Sequence, residues 1–188
     1  MKILYIDMDN VLVDFQSGIN NLSDNQKEKY KDNYDNCPGI FSLMTPLDGA
    51  IEAYEKLAEI FDTYILSTSP WNNPSACKDK LLWVKKYLGK VAYKRLILSH
   101  HKNLNMGDYL IDDRLANGVK DFKGEHIHFK SDRFRNWDAV LNYLLEKNKQ
   151  KDLLIHKEKE RKSLILEYRQ SLISSVVTGK IRITEDIV

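Results

Sequence analysis

Two aspartates one residue apart, Asp7 and Asp9, follow directly on the apolar run Ile3-Leu4-Tyr5-Ile6. Ionised carboxylates at the end of a buried strand are unfavourable unless a cation offsets them. A hard cation with oxygen ligands, such as Mg²⁺, is the simplest candidate. A pair of solvated turn aspartates after an edge strand is the competing reading. Three more polar clusters follow apolar runs further along: Thr68-Ser69, Lys102 after a loop, and Asp112-Asp113. In a parallel sheet all four clusters lie along one edge, where ligands of open α/β sheets bind. Together they make a parts list for phosphoryl transfer through a covalent aspartate. One carboxylate attacks phosphorus. Mg²⁺ neutralises and positions the phosphate. A hydroxyl and an ammonium hold the equatorial oxygens. A second carboxylate protonates the leaving oxygen and then activates water.

Each residue also has a plainer reading. Thr68 and Ser69 could cap a helix or turn, and Asp112-Asp113-Arg114 could be a surface turn with a local ion pair. Lys94 competes with Lys102 for the ammonium role, and the spacing before Asp112 favours Lys102. Trp71, beside Thr68, either lines the crevice or packs in the core. His100 and His101 are adjacent, so their side chains diverge, and they read as loop residues rather than ligands.

The elements that must position these groups follow from periodicity. The short apolar run at residues 3–6 reads as a strand buried on both faces, and those at 63–67, 95–98, 108–111 and 125–129 read as further strands. Between them, Ala50, Ile51, Tyr54, Leu57, Ala58 and Phe61 recur at helical spacing behind Asp48 as N-cap. A second helix is expected from about Pro74 to Leu88, with Gly89 as its C′ residue, and a third begins at Trp137. The alternation implies right-handed crossovers and a Rossmann-like parallel α/β sheet of about five strands with helices on both faces. Residues 16–36 are polar. They read as a small helical lid over the crevice or as a mobile loop, before Cys37-Pro38-Gly39-Ile40-Phe41 turns back to the body.

Composition sets the outer limits. A length of 188 residues suits one domain with an appendage. With 43% hydrophobic and 30% charged residues and a net charge of +2, the chain reads as neither disordered, collagenous nor membrane-spanning. The charge is too small to argue for direct nucleic-acid binding. Cys37 and Cys77 lack CxxC spacing, and no signal peptide opens the chain, so a cytoplasmic location is expected.

With these residues in place, the chain resembles the haloacid-dehalogenase-like phosphatase superfamily. Asp7-Met8-Asp9-Asn10-Val11 looks like its first motif, Thr68 its second, Lys102 its third and Asp112-Asp113 its fourth. The blocks Asp7 to Phe15, Pro38-Gly39-Ile40-Phe41, Thr68-Ser69-Pro70, Trp83 to Gly89 and Leu110 to Arg114 narrow this to the 5′(3′)-deoxyribonucleotidase family, over residues 1–145. The resemblance implies a Mg²⁺-dependent phosphomonoesterase acting on small nucleotides. It implies Asp7 as nucleophile and metal ligand, and Asp9 as acid/base with its backbone carbonyl on the metal. Thr68, Ser69 and Lys102 would bind phosphate, and one or both of Asp112 and Asp113 would complete the metal site. Phe15 and Phe41 would wall a base, with Arg114 as a polar contact. Asn10 departs from the glycine common in that family, and residues 16–36 are shorter than its lid, within a cap insertion at 16–45.

Residues 146–188 form a separate tail. Leu164, Ile165, Tyr168, Leu172, Ile173, Val176 and Val177 suit an amphipathic helix stopped by Gly179. The stretch Leu166 to Ile181 resembles the C-terminal end of type I restriction–modification specificity subunits, where such a helix contacts partner subunits. The tail is therefore either a fused gene end or an association helix, for a second copy or a protein partner. That keeps a rival reading open, a phosphatase-like interaction protein, beside a phosphatase of some other small phosphomonoester. A receiver-type phospho-acceptor domain is set aside because it lacks the Asp7-x-Asp9 pair.

Overall fold

A computed structural model describes residues 1–179 of the chain. In chain order the elements are β1 (Ile3–Ile6), β2 (Val13–Asp14), α1 (Phe15–Asn20), α2 (Asp24–Lys29), β3 (Thr45–Pro46) and α3 (Ala50–Ala58). There follow β4 (Asp62–Ser67), α4 (Ala76–Tyr87), β5 (Leu96–Leu98), β6 (Tyr109–Asp112), β7 (Glu125–His128) and α5 (Trp137–Val177). Five strands pair in parallel in the order β5-β4-β1-β6-β7, as the alternating pattern predicts. β1 is central, and Leu4 and Ile6 are fully buried because helices and loops cover both faces. Tyr5, Leu66, Leu110, Val119 and Phe122 form one side of this core.

The order fixes where a site can lie. The chain leaves β1 to build β4 and β5 on one side, then returns to build β6 and β7 on the other. The reversal falls between β1 and β6, so the crevice opens beyond their carboxyl ends. Asp7 stands one residue past β1, and Asp112 is the last residue of β6.

The turn after β1 explains the departure at residue 10. The Met8 carbonyl accepts from the N–H of Leu12 and of Val13, each at 2.9 Å, which folds the chain back within three residues. Asn10 at that bend has φ 58°, in the left-handed region. Asparagine is among the few non-glycine residues that adopt it readily.

β2 and β3 pair antiparallel, Val13 opposite Pro46 and Asp14 opposite Thr45, and so hold together the two ends of the intervening segment. That segment is helical. Ser23 caps α2 through a reciprocal bond pair with Gln26, and 3-10 turns follow at Tyr34–Asn36 and Ile40–Ser42. It is tied to the loop before α4 and to α4 itself. Asn73 Nδ2 donates to the carbonyls of Asp35 (2.8 Å) and Cys37 (2.9 Å), Gly39 N donates to Ser75 Oγ (2.8 Å), and Trp83 Nε1 donates to Met44 O (3.0 Å).

One expectation about helices is corrected. Asp48 is not the N-cap of α3. Gly49 takes that position with φ 71° and without a side-chain cap bond, because the backbone reverses there into a left-handed conformation. The helix that begins at Trp137 continues to Val177, since its charged middle contains no glycine or proline to break it. Trp137 Nε1 ties its first turn to Val11 O at 2.9 Å.

Residues Met1–Asn142 form one compact unit, and the chain from Tyr143 on forms another. In the second, Leu164, Ile165, Tyr168 and Ile173 are exposed, and α5 ends just before Gly179, which has φ 72°. Lys180 and Ile181, the end of the stretch that resembles restriction–modification subunits, lie outside the described residues. Among the described residues no helix is long and apolar enough to cross a membrane.

The Asn10 bend makes a direct prediction. Asn10→Val places a β-branched side chain in the left-handed region and is expected to destabilise the protein by about 1–2 kcal/mol, whereas Asn10→Gly leaves stability nearly unchanged. Urea unfolding of the two variants measures the difference.

Candidate active site

The site begins with backbone pairing. Asp7 N–H donates to Ile111 O at 2.8 Å, extending the β1–β6 ladder by one residue and holding the Asp7 side chain at the strand tip, 1% exposed. Across the crevice Asp112 is equally buried, and its Oδ1 accepts from Arg114 N at 3.0 Å. Lys102 arrives from the loop after β5, fixed by its own N–H to Asn117 O at 2.8 Å. Its Nζ stands 2.9 Å from Asp7 Oδ1 and bonds Asp112 Oδ2. Burial acts to lower the Lys102 pKa, but Asp7 and Asp112 together outweigh it, so the ammonium is held above its ordinary value. Burial, reinforced by Asp7, pushes the Asp112 carboxyl up to about 6 against the pull of Lys102.

Asp113 lies next to this group. Burial raises its pKa, the Arg114 guanidinium opposes the rise, and Asp7 adds to it. Carboxylate oxygens of Asp7, Asp112 and Asp113 come within 4.8 Å of one another. Asp7 Oδ1 faces Lys102 but receives no well-directed hydrogen bond, and Asp113 Oδ1, 3.6 Å from Arg114 Nε, receives none. Buried carboxylate oxygens drawn this close together, with Asp113 Oδ1 lacking a donor, fit a hard cation.

Asp9 is served by a different cation. Its Oδ2 accepts from Lys80 Nζ at 2.6 Å, and the same ammonium donates to Ser67 Oγ at 2.9 Å. Lys80 is fully buried, with its Nζ 4.6 Å over the Phe41 ring. Burial raises the Asp9 pKa and Asp7 raises it further, while Lys80 opposes both. Asp9 Oδ1, also buried, has no partner.

Sequence reasoning missed Lys80 and Ser67. A signal was present, since Lys80 shares a helical stripe with Ala76, Trp83 and Val84, all buried. A lysine on the apolar face of a helix cannot be solvated there, so it must meet a carboxylate.

The remaining expected residues are placed as follows. Thr68 follows β4, and its Oγ1 donates to Ser99 O at 3.1 Å. Ser69 Oγ accepts from the Cys77 thiol at 3.1 Å. Phe41 is buried and Phe15 half-buried, their rings edge to face at 6.1 Å. Arg114 is exposed beside Asp113. Lys94 is exposed, with φ 59° and its Nζ 5.3 Å from the Tyr93 ring centroid, while Lys102 sits among the acids. A cavity of about 290 Å³ opens beside Asp9, with Asp35, Thr68, Trp71, His100 and Arg114 on its walls. Trp71 thus lines the crevice rather than the core.

The parallel sheet with its chain reversal between β1 and β6 is a doubly wound α/β fold of the kind found in haloacid-dehalogenase-like hydrolases. A magnesium-bound hydrolase of that class from Bacillus subtilis superimposes with a TM-score of 0.55 at 12% identity, over 76% of this chain and 98% of that one. Sequence similarity narrows the class. The profile described as 5′ nucleotidase, deoxy (pyrimidine), cytosolic type C protein matches residues 21–142. A Vibrio phage KVP40 protein named as a 5′(3′)-deoxyribonucleotidase is 63% identical over 147 residues, 78% of this chain and 86% of that one. The 5′(3′)-deoxyribonucleotidase of Bacillus subtilis is 26% identical over 162 residues, 76% of this chain and 93% of that one. The chain belongs to the 5′(3′)-deoxyribonucleotidase family.

The Asp9–Lys80 pair carries its own test. Lys80→Met leaves a buried carboxylate without its countercharge, which destabilises by about 3–5 kcal/mol near neutral pH. Asp9 already has a raised pKa and would titrate higher still, so the loss should shrink as pH falls and Asp9 takes up a proton. Unfolding curves of wild type and variant at several pH values read this out.

Proposed function

We propose that this chain is a Mg²⁺-dependent phosphomonoesterase that hydrolyses 5′(3′)-(deoxy)ribonucleoside monophosphates through a phosphorylated aspartate. The observation that carries the reading is the division of labour between two buried lysines. Lys102 is shared between Asp7 and Asp112, while Lys80 serves Asp9 alone. Neighbouring carboxylates kept in different surroundings can hold different protonation states, which a nucleophile and an acid require. The family's nucleotidase names support the substrate class.

In this reading an Asp7 carboxylate oxygen attacks phosphorus and the ester P–O bond breaks. Asp9, raised by burial, gives its proton to the departing alkoxide. Asp9 then takes a proton from water, the resulting hydroxide attacks the phosphoryl group, and Asp7 is released with inorganic phosphate. Lys102 and the hydroxyls of Thr68 and Ser69 hold the phosphate oxygens, Thr68 by turning from Ser99 O. Phe15 and Arg114 bound the rest of the substrate, with Phe41 buried against Phe15. Asp7, Asp112 and Asp113, with the Asp9 backbone carbonyl, would hold Mg²⁺, which supplies charge neutralisation and alignment of the phosphate when bound. A cytoplasmic site of action fits a nucleotide substrate.

Asp7→Asn should leave the fold intact and turnover undetectable in a nucleoside-monophosphate screen. Asp9→Asn should lower kcat by about 10²–10⁴. Near wild-type turnover in pure Asp7→Asn protein would remove Asp7 from the mechanism.

The metal reading has a pH signature. Asp112 titrates near 6 in the folded protein, above its unfolded value, so its ionised form costs stability above about pH 6 and a bound cation offsets that cost. Below that pH a proton competes with the metal. Mg²⁺ should therefore raise Tm more at about pH 7.5 than at about pH 5, with apparent affinity falling about tenfold per pH unit in the acid range. Activity should vanish in chelator and return with Mg²⁺. An equal Tm response at both pH values would count against Asp112 as a ligand.

A further inference from the structure

The cavity beside Asp9 has one wall that the chemistry above leaves unused. Trp71 is 86% exposed, whereas Trp83 and Trp137 are each 2% exposed. Isolated exposed apolar residues are ordinary, but this one is held in place at the mouth of the site. It is the second residue of a turn closed by Asn73 N to Pro70 O at 3.1 Å. Asn73 itself is buried and clamped to the carbonyls of Asp35 and Cys37, so the turn cannot swing freely. The indole meets the His100 ring, which lines the same cavity, centroids 6.1 Å apart at 63°. Thr68, Asp9, Asp35 and Arg114 also line that cavity.

We propose that Trp71, braced by His100, is the platform on which the substrate's nucleobase stacks, and so is the residue that makes the enzyme prefer nucleotides over base-free phosphomonoesters. This rests on the nucleotide reading above. Every nucleobase has a flat π-face, and a rigid exposed indole is a sequence-tolerant surface for it. Phe41 is poorly placed for the same task, because Lys80 Nζ covers its ring and the side chain is buried. With phosphate near Thr68, three residues before Trp71, a base extending toward the cavity mouth meets the indole, with Arg114 and Asp35 able to donate and accept at its edge.

The test compares full-length wild type, Trp71→Ala and Trp71→Phe on dUMP, dAMP and 2-deoxyribose 5-phosphate with Mg²⁺ present. Trp71→Ala is expected to lower the nucleotide-to-sugar-phosphate ratio of kcat/KM about tenfold or more, chiefly through KM, and Trp71→Phe to restore most of it. An unchanged ratio overturns the proposal. A second readout does not depend on turnover. In the Asp7→Asn background, dUMP should quench the emission of Trp71 while 2-deoxyribose 5-phosphate does not, and Trp71→Phe should abolish the quench. Absence of quenching overturns the platform as well. Should wild type cleave sugar phosphates but no nucleotide, the proposed substrate class fails, and the quench still decides whether Trp71 stacks bases.

Discussion

Four carboxylates crowd the ends of β1 and β6, and their desolvation is the constraint that the rest of the structure answers. Asp7, Asp9 and Asp112 are almost wholly buried and Asp113 partly so. Each ionised carboxylate away from water carries a penalty of several kcal/mol unless paired. Two lysines, 102 and 80, are brought in from different elements to meet this, one on a loop held by Asn117 and one on α4. Neither lysine could be buried alone, and the acids they meet could not be buried without them. Apolar burial around them, with Leu4, Ile6, Leu110 and Ile111 of β1 and β6 wholly covered, supplies the stability that this charge cluster draws on.

Much of this arrangement was legible in the sequence, and the reasons are physical. A parallel strand covered on both faces must be apolar throughout, so Ile3 to Ile6 and Tyr109 to Ile111 announced themselves, and acids at their ends stood out by contrast. Lys102 was found by its spacing before Asp112. Lys80 was overlooked because Lys78, Lys80, Lys85 and Lys86 look alike in a charged helix, and only the helical phase separates the one buried member from solvated neighbours. The N-cap of α3 was misplaced for a related reason. Asp48 has the residue type that caps, but Gly49 supplies the left-handed bend that the approach to the helix needs. The helix that begins at Trp137 runs through a charged stretch. Charged residues do not end helices, and nothing between Glu146 and Lys162 does.

α4 links the two sides of the crevice. Its buried face carries Lys80 to Asp9, while Trp83 and the loop before it hold the segment that follows α1. The group that tunes the acid and the segment above the crevice are thus mounted on one rigid element. A shift of that segment against the sheet would be felt at Asp9 through a single helix rather than through a chain of loops.

The short β2–β3 pair has a consequence for how such a chain can change over time. Because Val13–Asp14 and Thr45–Pro46 are bonded to each other, everything between them enters and leaves the body at one point. Lengthening a segment whose ends are already pinned together adds little closure entropy, about 0.6 kcal/mol per doubling. The neck therefore behaves as a socket. Segments of different length and shape can be exchanged at it without disturbing the strand tips where the acids stand, so the segment over the crevice can diversify while the acid cluster stays fixed.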